Sequence, residues 1–358
     1  MKRSLALAIV GVVLALTVAG SLAQDKALTK VTFALTTKDI SVGHAAHTSL
    51  PVVLGYWKDE GLDASVASVE GSTAGAQQLA AGNIHVVSVG PEVILIAREK
   101  GMKIKSFYVQ ARETIFRLVV PADSPIQKAA DLKGKTIGVP SLASGSVPYT
   151  KTLVASAGLD PDKDVKLLAV GVGAPGALAL QQKKVDALGV WDTLQASMEN
   201  RGLQFRQIAT PVVSEMIGQS LAVQDEYMAE HSKVVVGIAR GIAKATLFGV
   251  TNPEAAVRLH WKTYPQSKPQ GVDETQALRE AIHVFKARFE LQRVDHRDDK
   301  RYGAATVAQW GKLAQIYKDQ GIIQGNVAAR DLYTDALIEE INRFDREAVI
   351  RQAREYRF

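Results

Sequence analysis

The sequence predicts an α/β protein: two successive α/β units followed by a helical last third. Three observations lead there. From Val31 short β-type runs alternate with helical stretches, the alternation restarts at Phe116, and beyond Val234 only apolar stripes at helix spacing remain. Strands alternating with helices at this spacing read as βαβ units with a parallel sheet. A length of 358 residues agrees with two domains at about 150 residues each.

In the first unit, Val31–Leu35 reads as a strand and His47–Lys58 as a helix stopped by Gly61. Ala64–Val69 is the next strand, and Gly71-Ser72-Thr73 opens a helix to Ala81. Ile84–Val89 leads into Gly90-Pro91-Glu92, the start of a helix to Lys100, and Ile104–Val109 closes the unit. The second unit begins with Phe116–Val120 and the turn Pro121–Pro125, followed by a strand over Lys135–Val139. Ser144-Gly145-Ser146 precedes a helix ending near Gly158. Val165–Val170, a helix from Ala174-Pro175-Gly176 to Lys183, and Val185–Val190 complete it. In the last third, Asn252-Pro253-Glu254 is a helix start, with Asn as N-cap, Pro at the first helical position and an acid in the first turn. Val234, Ile238, Ile242 and Ala245, then Leu278, Ile282, Phe285 and Phe289, then Val307, Trp310, Leu313 and Tyr317 form three apolar stripes that face a core.

The first 23 residues stand apart from this pattern. Lys2 and Arg3 precede an apolar run, Leu5–Val18, and Ser21-Leu22-Ala23 offers small residues for cleavage. This is a secretory signal peptide cut after Ala23. The run is shorter than the roughly 20 residues that span a bilayer, and no later segment is expected to span one. The chain holds no Cys, which excludes disulfides, Cys-bound zinc or iron–sulfur clusters, a Cys nucleophile and a lipid-bearing N-terminal Cys. The expected product is a free protein in a periplasm. A net charge of +6 with Lys and Arg scattered through the chain is no nucleic-acid footprint.

In an open parallel sheet, ligands bind at the carboxyl ends of the strands. Two loops there, Glu70-Gly71-Ser72-Thr73 and Ser144-Gly145-Ser146, place hydroxyls and free N–H groups at a helix start, one in each unit. Such a terminus favours an anionic group, although plain N-capping needs no ligand. His44 and His47 lie three apart near the end of the first strand and lack further metal ligands, so a capping or ligand contact is the better reading. Glu92 follows Gly90-Pro91 and either charges its own helix favourably or accepts a hydrogen bond from a ligand. Trp191-Asp192 ends the last strand of the second unit, where the indole can cover a ligand or pack in the core. There is no Gly-x-Ser-x-Gly, P-loop, His-Glu-x-x-His or Gly-x-Gly-x-x-Gly after a strand, so catalytic machinery, metal and cofactor are not indicated.

Several stretches resemble one family. Leu54 to Asp63 is similar to its early helix ending in Glu-Gly-Leu-Asp, and Leu79-Ala80-Ala81-Gly82-Asn83-Ile84-His85 to its Leu-Ala-Ala-Gly segment, with His85 where Asp is usual. Asp131 to Val139, Ala157-Gly158-Leu159-Asp160-Pro161, Lys184-Val185-Asp186-Ala187, Val190-Trp191-Asp192, Asn252 to Ala256 and Asp331 to Thr334 follow along the chain. The sequence resembles the periplasmic solute-binding proteins of ABC importers, in the branch for nitrate, taurine and alkanesulfonates that also holds thiamine-pyrimidine-type binders. The resemblance implies a two-lobed, type II periplasmic-binding-protein fold with the ligand cleft between lobes and a helical C-terminal extension. Residues 24–114 and 219–358 would form lobe 1 and residues 115–218 lobe 2, hinged near Arg112–Arg117 and Glu215–Ser220 and closing on the ligand. It implies a monomer that serves a membrane permease. Carried over by position, the ligand loops are Thr36, Thr37 and Lys38 with His44 and His47, Glu70 to Thr73, Gly90, Pro91 and Glu92, Ser144 to Ser146, and Trp191 with Asp192. Arg112 would be a counter-ion for a carboxylate or sulfonate, or one partner in a surface ion pair. Glu70, Glu92 and Asp192 put acids near the cleft, which disfavours a bare inorganic anion such as nitrate and favours a larger organic anion. Two rivals share the fold: a pyrimidine-synthase-like enzyme, which the signal peptide and missing Cys argue against, and a solute sensor signalling to a membrane partner.

Overall fold

The structure, a computed structural model, describes residues 27–358. The signal-peptide reading over residues 1–23 lies outside the described residues. Ten strands form two five-stranded sheets. The first four are β1 (Thr29–Leu35), β2 (Leu62–Ser68), β3 (Val86–Val89) and β4 (Ile104–Val109). Then come β5 (Phe116–Pro121), β6 (Thr136–Val139), β7 (Lys166–Ala169), β8 (Ala187–Trp191), β9 (Phe205–Ile208) and β10 (Ser220–Gln224).

The first sheet has the order β2-β1-β3-β10-β4 and the second β7-β6-β8-β5-β9. Both are built on one plan: three parallel strands, one antiparallel strand, then an edge strand. The expected wholly parallel arrangement is therefore corrected at β5 and β10. β5 and β10 are the strands that follow the two crossings between sheets, through residues 110–115 and past the short turn Pro211–Glu215, and each runs antiparallel to both of its neighbours. The two crossing segments run side by side. Gln219 O accepts from Gln110 N at 2.8 Å and Ala111 N at 3.2 Å, and Gly218 N donates to Ala111 O at 2.9 Å. A Cβ on Gly218 would lie 2.0 Å from Glu113 O, so only glycine permits this approach.

Helices cover both faces of the sheets. The helix expected over His47–Lys58 is instead a 3-10 turn, Val42–His47, and two short helices, Ser49–Val53 and Tyr56–Asp59. Gly55 sits between them at φ +75°, a left-handed geometry that ends one helix before the next begins. In the last third the described helices include Ser232–Thr251, Pro253–Thr263, Glu274–Gln292 and Val307–Asp319. Contrary to expectation, Ser232–Thr251 is long and apolar enough to cross a membrane by length and composition. It serves here as a core helix: Val235, Ile238, Ala239 and Ile242 are buried with Phe33 and Val223, and Ile238 O accepts the Trp57 indole N–H at 3.0 Å.

Candidate functional site

The carboxyl ends of β1, β2 and β3 face those of β6 and β8 across a narrow seam. Thr73 N donates to Ala143 O at 3.2 Å, joining the turn after β2 to the turn after β6. At Gly71, φ +88°, a Cβ would lie 2.5 Å from the same carbonyl oxygen. The seam holds a half-open chamber of about 40 Å³ lined by Thr36, Thr37, His44, Gly71, Ser72 and Gly90 from one side and Ser144, Gly145 and Trp191 from the other. All nine are among the residues singled out from the sequence. An outer cavity of about 530 Å³ adjoins it, sharing Thr36, Thr37, Gly71, Ser144 and Trp191 and adding Lys38, Glu70 and Arg201.

Helix starts converge on the chamber: Ser72–Ala80 after β2, Pro91–Glu99 after β3, Ser146–Ser156 after β6 and Asp192–Glu199 after β8. Each directs the positive end of its dipole towards the seam. Hydroxyls supplement them. Thr36 Oγ1 donates to Ser88 O at 3.0 Å and lies 3.4 Å from Ser72 Oγ. Ser144 Oγ lies 2.9 Å from Ser146 Oγ and accepts from Ser146 N at 3.2 Å.

The acids and imidazoles around the chamber are either paired or held neutral by burial. Asp192 is fully engaged by Arg288, whose Nε donates to Oδ2 at 2.7 Å and whose Nη2 donates to Oδ1 at 2.5 Å. Arg288 Nη1 also donates to Gln219 Oε1 at 2.8 Å. Glu92 is buried, its Oε1 has no partner, and loss of solvation pushes its carboxyl up to about 8, so it is protonated at neutral pH. Burial, with Arg288 next in effect, holds both His44 and His47 below the ordinary imidazole range, His47 down to about 3. Both rings are therefore neutral. Ser41 N donates to His44 Nδ1 at 3.1 Å, which leaves the ring proton on Nε2. His47 Nδ1 lies 3.1 Å from the Gln110 amide nitrogen, whose Oε1 accepts from Ser88 Oγ at 2.5 Å. Glu70 forms an ion pair with Lys38 at 3.0 Å on the surface. The chamber thus carries no net charge, and the three acids do not weigh against an inorganic anion as the sequence suggested. Leu35, Ile115, Phe116 and Trp191 supply the apolar part of its walls.

The remaining singled-out residues fall elsewhere. His47, Glu92, Ser146 and Asp192 are buried behind the wall. Pro91 is the first residue of the helix after β3, Thr73 is exposed, and Lys38 and Glu70 stand at the outer mouth. Arg112 does not reach the chamber. Its Nη2 donates to Arg301 O at 2.6 Å and lies 4.0 Å from Asp299. Leu35, Ile115, Phe116, Gln219 and Arg288 line the chamber without having been singled out. Arg288 did carry a signal: with Ala281, Phe285 and Gln292 it lies on the buried face of its helix, where a charge needs a partner. Among the described residues no three His, Asp or Glu groups gather as metal donors.

Residues 48–256, more than half of the chain, match the family described as NMT1/THI5 like. The chain belongs to the NMT1/THI5-like family. It is 28% identical over 222 residues to the formylaminopyrimidine-binding protein of Halalkalibacterium halodurans, over 60% of this chain and 66% of that protein. It is 26% identical over 213 residues to a protein of Brucella abortus named only as a binding protein, over 59% of this chain and 65% of that one. The chain thus spans just under two thirds of the length of these relatives. A protein of Bordetella bronchiseptica superposes with a TM-score of 0.68 at 22% identity, over 89% of this chain and 98% of its own. The periplasmic aliphatic sulphonate binding protein SsuA of Escherichia coli superposes with a TM-score of 0.61 at 18% identity, over 84% and 91%. The fold is the periplasmic-binding-protein fold with C-terminal helices.

Proposed function

We propose that this member of the family is the periplasmic solute-binding component of an ABC importer, capturing a small organic anion between two closing lobes and delivering it to a membrane permease. The observation that carries the reading is the small chamber between the two sheets. A volume of about 40 Å³ admits a head group of a few heavy atoms, at about 10–15 Å³ for each water-sized occupant. The helix starts and hydroxyls of Ser72 and Ser144 suit a carboxylate or sulfonate oxygen there. Trp191 lines both the chamber and the outer cavity, so an apolar body would lie along the indole towards the mouth. In this reading residues 24–114 with 219–358 form one lobe, residues 115–218 the other, and the paired crossing segments the hinge.

A thermal-shift screen of the purified protein tests it. The panel holds taurine, alkanesulfonates, aromatic sulfonates, carboxylates, nitrate, bicarbonate and pyrimidines. A true ligand at 100 times its Kd should stabilise the fold by about 2.7 kcal/mol. Ser144→Ala with Ser146→Ala should weaken a sulfonate or carboxylate hit at least tenfold. A response confined to nitrate, or a hit that ignores the double substitution, contradicts this reading.

A further inference from the structure

One contact across the seam differs from the others. Helix Glu274–Gln292, from the chain after β10, lies antiparallel against helix Asp192–Glu199, which follows β8 of the other sheet. Residue 192 meets 288, Glu199 lies 3.3 Å from His283, and Asn200 Nδ2 donates to Glu280 O at 2.9 Å. At its end nearest the chamber, Arg288 grips Asp192 with two hydrogen bonds and Gln219 with a third. Gln219 belongs to the crossing segment, so one guanidinium ties together the C-terminal helices, the hinge and the opposite sheet. Arg288 is 1% exposed and also forms part of the chamber wall. A guanidinium has five N–H donors, and these three bonds leave two beyond those given to Asp192 and Gln219. Gly43 supports the contact: a Cβ there would lie 2.3 Å from Thr193 Cγ2 and 3.4 Å from Arg288 Cβ, so the 3-10 turn can press against both.

We propose that Arg288 is a positioning residue that latches the two lobes shut through Asp192, keeping the closed form populated before solute arrives and tying closure to the wall of the binding chamber. This rests on the reading of the chain as a hinged two-lobed binder. When the lobes part, Asp192 leaves the guanidinium and both charges meet water. When they close, the pair is desolvated, and only its bidentate geometry and the Gln219 bond compensate that cost.

The chain has no cysteine, so spin labels can be placed uniquely. Val52→Cys and Leu178→Cys, exposed and on opposite sides of the seam, report the distance between lobes by electron–electron double resonance, with no solute added. The labelled wild type should show a short-distance population. Arg288→Gln and Asp192→Asn should each lower the melting temperature and move most of that population to longer distances. The double substitution Arg288→Gln with Asp192→Asn removes both buried charges, so it should melt higher than the weaker single variant while its distances stay long. That split between stability and distance is what a merely structural ion pair does not produce. A double variant that regains the short distance overturns the latch, as do a wild type with only long distances and latch variants that leave the distances unchanged. A Gly43→Leu wedge separates the two levels of failure. If the wedge lengthens the distance while the latch variants do not, the lobes move and only the latch is wrong. If no variant changes it, the hinged reading falls as well.

Discussion

Glu92 carries a carboxyl into a place where nothing balances it. Gly90 and Gly145 make room: a Cβ on Gly145 would lie 2.9 Å from Glu92 Oε1 and 3.0 Å from Ser72 Oγ. The acid therefore sits between the two halves, its carboxyl raised by desolvation from an ordinary 4.5 to about 8. Between those values the folded protein keeps a proton that the unfolded chain has released. Stability should fall as pH rises through that window, by up to about 1.4 kcal/mol per pH unit. Below it both states hold the proton, and above it the loss is complete. Glu92→Gln keeps the shape and removes the titration, so its melting temperature should drop less between pH 5 and pH 8 than that of the wild type. Equal drops would show that Glu92 ionises freely in the folded protein. At this scale the sequence was informative where the signal is local. Ser72, Ser144, Gly90 and Trp191 advertise themselves at strand ends beside helix starts. Ile115 and Gln219 do not, because they reach the chamber only through the paired crossing segments. The sequence presented Asp192 as an acid facing ligand, whereas Arg288, 96 residues away, neutralises it.

Helix starts are the elements most directly written in the residues. Asn252 was expected as the N-cap of the helix beginning at Pro253, and its Oδ1 accepts from Ala255 N at 3.0 Å. Its Nδ2 also donates to Ala353 O at 2.8 Å, which ties down the last described helix, Arg346–Glu355. Asn252→Ala should therefore lower stability by about 1–2 kcal/mol, the upper part of the range for a lost cap, because the tail loses a tether too. Asn252→Asp keeps the acceptor and should fall between wild type and the alanine variant in chemical denaturation. If alanine and aspartate cost the same, the cap contributes nothing. Elements set by tertiary context were harder to read. β9 and β10 are four and five residues long and carry no periodicity of their own to separate them from loop. The direction of β5 depends on where its chain comes from, not on its composition. The apolar length of Ser232–Thr251 shows why composition alone does not distinguish a core helix from a membrane span.

At the scale of the whole molecule, the chain crosses twice between two sheets of similar plan: β1 to β4 begin the first sheet, β5 to β9 make the whole of the second, and β10 returns to the first. That return makes the first half discontinuous and the second continuous, and leaves two adjacent connections between them. It also sets every strand end that carries a small polar loop on the same seam. The α/β class and both units were legible from alternation, and the two-lobed arrangement from the resemblance. The chamber's neutrality was not, since it depends on the Arg288–Asp192 pair and on the burial of Glu92, His44 and His47. The central claim is that this seam is where solute binds. A crystal structure of the protein with the strongest stabiliser from the thermal-shift panel tests it most directly. The account predicts the solute's acidic head between Ser72 and Ser144, with its body along Trp191. Solute bound outside the seam would contradict it.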